Sequence, residues 1–243
     1  MLKVVITALM VLLATALMMW LGRFVRKTVM PKGPEAFVQF QLRYQIGLLA
    51  IASLVLAGSA ALSLGGSINL LLPGDIHAPA NAVDILGIAQ NESWFSVGSG
   101  LMVGITLVTF GFLTIQALVS RARLSFNVGL LLWVLLFALL NSFSEEAIFR
   151  VAVIGSLQGE LATSSLLLLS AVLFGLPHLR GIPNGIIGVM LATALGWVLA
   201  KSVVETGGMF WAWSIHFLQD VVIFSSLMLL RQPMQAASDQ EQD

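Results

Sequence analysis

The stretch "VGLLLWVLLFALLNSFSEEAIFR" runs from Val128 to Arg150. It has no polar side chain as far as Leu140, then carries Glu145, Glu146 and Arg150. Apolar runs of about 17–25 residues are long enough to cross a bilayer as helices. An ionisable group at the centre of such a helix costs at least about 2.5–3.5 kcal/mol. The stretch therefore reads as a membrane helix carrying charges that need a reason to be there.

The rest of the chain agrees. Of 243 residues, 58% are hydrophobic and only 10% are charged, where a soluble domain carries about 25%. Mean hydropathy is +0.96. Net charge is zero, which offers no basic surface to a nucleic acid partner. There is no cysteine, so disulfides, thiolate metal sites and a cysteine nucleophile are excluded. Apolar segments fall at roughly 4–22, 45–65, 98–119, 128–156, 162–179, 183–201 and 208–230. The fold class is all-α, a polytopic membrane protein of about seven to eight transmembrane helices. The first run is too long for a signal-peptide core and has no small-residue cleavage site, so it reads as a retained helix.

Basic residues set an orientation. Arg23, Arg26, Lys27, Lys32 and Arg43 follow the first segment. The connection 66–97 has no Lys or Arg but holds Asp75, Asp84 and Glu92, and the next connection holds Arg121 and Arg123. This alternation puts the N-terminus outside and the C-terminus, with Arg231, inside a cell membrane of bacterial inner-membrane type. Lys201 runs against it. Trp94, Trp211 and Trp213 lie near segment ends, where interfacial aromatics gather. Three regions are expected: N-terminal membrane helices with a polar extracytoplasmic connection over 1–125, a catalytic helical core over 126–231, and a polar tail over 232–243.

The intramembrane ionisable groups are Glu145, Glu146, Arg150, His178, His216 and Asp220, all in the C-terminal half. Glu146 and Arg150 are four apart and share a helix face, so they can pair. Glu145 is rotated about 100° away and is left free for chemistry. In "FGLPH", Phe174 to His178, Pro177 bends or ends its helix. In "HFLQD", His216 and Asp220 share a face, so Asp220 can fix the tautomer of His216 or face a shared ligand with it. A glutamate with two imidazoles suits hydrolysis, because the carboxylate can activate water and imidazoles can polarise a carbonyl or bind a metal. It is also a sulfur-free zinc ligand inventory.

"EEAIFR", "FGLPH" and "HFLQD" resemble, in order, the EExxxR, FxxxH and HxxxN-or-D motifs of the CPBP family of intramembrane proteases. That family includes the Rce1-type CAAX prenyl endopeptidases and the bacterial Abi proteins. The resemblance covers roughly residues 130–225. It implies a multi-pass helical core enclosing a polar intramembrane cavity, and endopeptidase hydrolysis of a membrane-associated protein or peptide, either prenylated or a peptide precursor. By the same resemblance Glu145 activates water, His178 assists, and Glu146, Arg150 and Phe174 support the site. His216 and Asp220 stabilise the oxyanion or, with Glu145 and His178, hold a divalent metal such as zinc; a metal-free site is the alternative. Asp220 stands where the motif also allows Asn, and an ionised carboxylate cannot donate to an oxyanion as an amide can. The rival readings are a transporter and a catalytically inactive membrane scaffold. One tension remains. A helix entering at Val128 carries Glu145 about 25 Å inward, while His178 sits near the end of its own segment. Either segment four begins outside the bilayer, or it breaks and turns back near Gly155.

Overall fold

The apolar stretches fold as helices in a computed structural model, which describes residues 1–28, 34–63, 65–124, 128–180 and 185–231. The expected tail at 232–243, and Lys32, lie outside the described residues. The helices are α1 (Leu2–Thr28), α2 (Pro34–Leu62), α3 (Trp94–Val119), α4 (Val128–Glu146), α5 (Ala152–Leu157), α6 (Thr163–Gly175), α7 (Gly185–Thr206) and α8 (Phe210–Leu229). Among the described residues six spans are long and apolar enough to cross a membrane, and Thr163–Leu179 is a shorter apolar helix. The protein is thus an all-α polytopic membrane protein. Two short antiparallel pairs accompany it: β1 (Pro79–Ala80) with β2 (Glu92–Ser93), and β3 (Arg123–Leu124) with β4 (Leu230–Arg231).

The span Val128–Leu157 is the axis of the molecule. Every residue from Ala147 to Ile154 is fully buried, with α1, α2, α6 and α7 packed round it. Apart from Arg150 the segment is apolar on all sides, and such a helix belongs in a central position. Lipid-facing helices look different. Leu107, Val108 and Ile115 on α3 are more than 60% exposed, a liability in water and the natural state against hydrocarbon.

Segment four does not break at Gly155. It runs as one span over Val128–Leu157, with a wider π-turn at Ala147–Val151 directly after the two glutamates. Carbonyls loosened by an irregular turn must find donors when no water is present. Ser170 Oγ donates to the Phe149 carbonyl at 2.7 Å, and Ser59 Oγ donates to that of Ala152 at 3.1 Å. Gly155 is needed for a close approach instead: a Cβ there would lie 2.3 Å from Ser67 Cβ and 2.5 Å from Ser67 Cα. We expect Gly155→Val to lower the detergent melting temperature by an overpacking cost of about 1–3 kcal/mol. Gly100→Ala, whose added Cβ would meet no atom within 4 Å, should melt at least as high as wild type.

The long span also removes the tension in depth. It passes Glu145 and continues to Leu157, about 18 Å further along the axis. The short α6 then returns from that end, so His178 comes back to the level of Glu145. One end of the bundle gathers the starts of α2 and α4 and the end of α8, through Phe37, Val38, Leu130, Trp133 and Met228. Arg23, Arg26 and Arg180 line a cavity at the ends of α1 and α6. The opposite end is closed by the connection between α2 and α3. Asp75 N–H donates to the Thr206 carbonyl at 2.8 Å and Met209 N–H to that of Leu72 at 3.1 Å. Gly74, at φ +74°, lies against Thr206 and Gly208 where no side chain fits.

Two expectations are corrected at this closed end. Trp94 and Trp211 are not interfacial anchors. Both are buried, and their indole N–H groups donate to Glu205 Oε2 at 2.9 Å and to the Ile76 carbonyl at 3.1 Å. Lys201 is not a free orienting charge. It is buried, pairs with Glu205, and donates to the Asn81 carbonyl at 2.9 Å. A lysine whose charge is paired in a tie of this kind does not compete with the exposed arginines at the other end.

Candidate active site

The three motifs meet on four elements. α4 ends on Glu145 and Glu146, the π-turn presents Arg150, α6 supplies Phe174 and leads to His178, and α8 supplies His216 and Asp220. Glu146 and Arg150 are fully buried, with Oε2 3.2 Å from Nε. The contact is one of charge rather than an aligned hydrogen bond, and Nη1 and Nη2 have no hydrogen-bond partner among the described residues. The guanidinium lies instead over the Phe174 ring, its carbon 3.9 Å from the centroid, a geometry that favours a cation on an aromatic face.

Glu146 has a second task that the motif spacing does not reveal. Its Oε1 accepts from His216 Nδ1 at 2.7 Å. The orienting carboxylate of His216 is therefore Glu146, not Asp220. Asp220 faces the other ring nitrogen: Nε2 is 3.7 Å from Asp220 Oδ2 and 3.8 Å from Glu145 Oε2. With Nδ1 held by Glu146, Nε2 is the nitrogen turned toward the remaining two acids.

His178 is positioned by the end of its helix. α6 stops at Gly175, and Leu176–Leu179 tightens into a 3-10 turn with Pro177 inside it. Pro177 has no N–H to continue the α-helical pattern. The Phe174 carbonyl receives the His178 ring instead, Nδ1 to O at 3.1 Å. A carbonyl can only accept, so Nδ1 carries the proton and Nε2 presents its lone pair. Phe174 joins the parts: its ring centroid is 5.1 Å from that of His178 and 5.4 Å from that of His216.

A cavity of about 370 Å³ reaches this cluster. Glu145 and His178 line its inner part, with Pro177, Tyr44, Gln41 and Met18. Arg23, Arg26 and Arg180, all exposed, line the basic end. Sequence reasoning placed every site residue in the C-terminal half, whereas α1 and α2 contribute much of this wall. It also passed over Asn141, which lies between Glu145 and Asp220.

The four candidate metal ligands, Glu145, His178, His216 and Asp220, are not gathered as a ligand set. Among the described residues no group of three or more His, Cys, Asp or Glu is placed to hold a metal ion. His216 spends Nδ1 on Glu146, and among the described residues no carboxylate lies within 4.0 Å of the His178 ring nitrogens.

Glu145 and His178 line one cavity among membrane helices, and the buried His216, with Glu146 and Asp220 about it, lies next to Glu145. A family model described as type II CAAX prenyl endopeptidase Rce1-like matches residues 127–222, the same region that carries the three motifs. Over that region the chain is similar to a family of membrane proteases of the CAAX type. No curated protein and no solved structure matches the chain.

Proposed function

We propose that the protein is an intramembrane endopeptidase that hydrolyses a peptide bond of a membrane-associated protein or peptide. The observation that carries this reading is the single cavity on which Glu145 and His178 both open. Glu145 takes a proton from water, and the hydroxide attacks the scissile carbonyl carbon. The tetrahedral intermediate places negative charge on the carbonyl oxygen. His216, when doubly protonated, keeps Nδ1 on Glu146 and offers Nε2–H to that oxyanion. Collapse breaks the C–N bond, and the proton held by Glu145 passes to the leaving amine. His178, with its Nε2 lone pair facing the cavity, assists by accepting a hydrogen bond from the water.

The substrate enters from the basic end of the bundle, past Arg23, Arg26 and Arg180. Under the orientation read from the loop charges this is the cytoplasmic side of the cell membrane. A transporter needs a route that opens at both ends. The hydrogen-bonded connection over the other end, and the concentration of acids and imidazoles in one half of the chain, favour a site over a pathway.

The test is incubation of purified protein in detergent with a farnesylated peptide ending in a CAAX sequence, followed by mass spectrometry. One internal scission, with new termini and uptake of one water, is expected. Uncut peptide, together with its transfer intact across vesicles containing the protein, contradicts the proposal and supports the carrier reading.

A further inference from the structure

A carboxamide lies between the two acids that face His216. Asn141, one helical turn before Glu145, donates through Nδ2 to Asp220 Oδ2 at 3.0 Å and to Glu145 Oε1 at 3.4 Å. An amide nitrogen carries two hydrogens, so one is available to each carboxylate. The Asn141 Oδ1 accepts from Gln45 Nε2 on α2 at 3.2 Å, and the same Gln45 nitrogen is 3.4 Å from Gln41 Oε1. Gln45 is fully buried. Turning Asn141 over would put its oxygen against two carboxylates and its nitrogen against the Gln45 amide. Acceptor would meet acceptor and donor would meet donor, so the network admits one orientation.

We propose that Asn141 and Gln45 are positioning residues that hold Glu145 and Asp220 at their places beside His216. Two carboxylate oxygens, each within 4 Å of one imidazole nitrogen, repel each other. The two amide hydrogens of Asn141 bridge them and fix both rotamers. Gln45 keeps Asn141 in the donating orientation and ties α2 to the reacting groups. The last motif carries an acid at Asp220, so the amide comes from α4 instead.

The consequence for catalysis rests on the peptidase reading; the pairing does not. A charge-swap cycle tests both, using Asn141→Asp, Asp220→Asn and the double variant. Detergent melting is read on each, and kcat and KM are read on the farnesylated CAAX peptide. Asn141→Asp places a fourth acid in the cluster of Glu145, Glu146 and Asp220 and should lower both the melting temperature and kcat, the latter by about a hundredfold at unchanged KM. The double variant restores one amide and one acid between α4 and α8. It should recover more than half of the melting loss and exceed Asn141→Asp in kcat by about tenfold. Gln45→Leu, close in shape, should lower kcat by about tenfold with KM unchanged. Purely additive losses in the swap, or wild-type kcat in Gln45→Leu, would overturn the proposal. If wild type leaves the peptide uncut and carries it intact across vesicles, the peptidase reading fails; in either case of an uncut peptide the melting cycle alone decides the pairing.

Discussion

Glu145→Ala protein is expected to fold like wild type and to cleave at least about a thousandfold more slowly, the scale on which a positioned general base contributes. The two halves of this expectation have separate causes. Glu145 makes only loose contacts, 3.4 Å to Asn141 and 3.8 Å to His216. Its removal takes one acid out of a cluster that already holds Glu146 and Asp220, so packing and charge balance lose little. Chemistry loses the carboxylate that, among the described residues, lines the cavity. The check pairs a melting curve with single-turnover cleavage on the same purified sample. Cleavage at the wild-type rate in folded Glu145→Ala protein would sink the mechanism.

Arg150→Ala should show the opposite balance, with stability failing first. Arg150 and Glu146 are both wholly buried. Removing one member of such a pair leaves an uncompensated charge and costs about 3–5 kcal/mol. The stacking of the guanidinium on Phe174 is lost as well, a contribution of about 0.5–2 kcal/mol. Arg150→Lys should not rescue the protein, since an ammonium cannot reproduce a planar contact with that ring. Glu146→Ala strands Arg150 and also frees His216 Nδ1, so it should lose activity as well as stability. Wild-type melting of either alanine variant would show that the pair is not a brace.

Charge made the site legible in the sequence. Acids, an arginine and histidines stand out in an apolar chain, so the Glu146–Arg150 pair and the three motif helices could be read from spacing alone. Neutral amides do not stand out in the same way. Gln41 and Gln45 fell at the margin of a segment drawn from about residue 45, but α2 begins at Pro34. Asn141 sits inside the opening stretch, four residues before Glu145. That spacing was the available signal, and it was passed over because an uncharged side chain in a membrane raises less alarm than a carboxylate. The second role of Glu146 was hidden for another reason. Spacing along one helix reveals partners at four residues, whereas the contact with His216 joins residues 70 apart. The buried tryptophans misled in a similar way, because nearness to a segment end does not say whether a ring faces lipid or a neighbouring loop.

The central claim is that Glu145 cuts peptides of the surrounding membrane. Comparative membrane proteomics tests it most directly, using cells that carry wild-type protein and cells that carry Glu145→Ala at equal abundance. The account predicts that specific membrane-associated proteins or peptides accumulate uncut in the variant, and that their cleaved forms return when wild type is restored. Identical termini across the two membrane proteomes would contradict it.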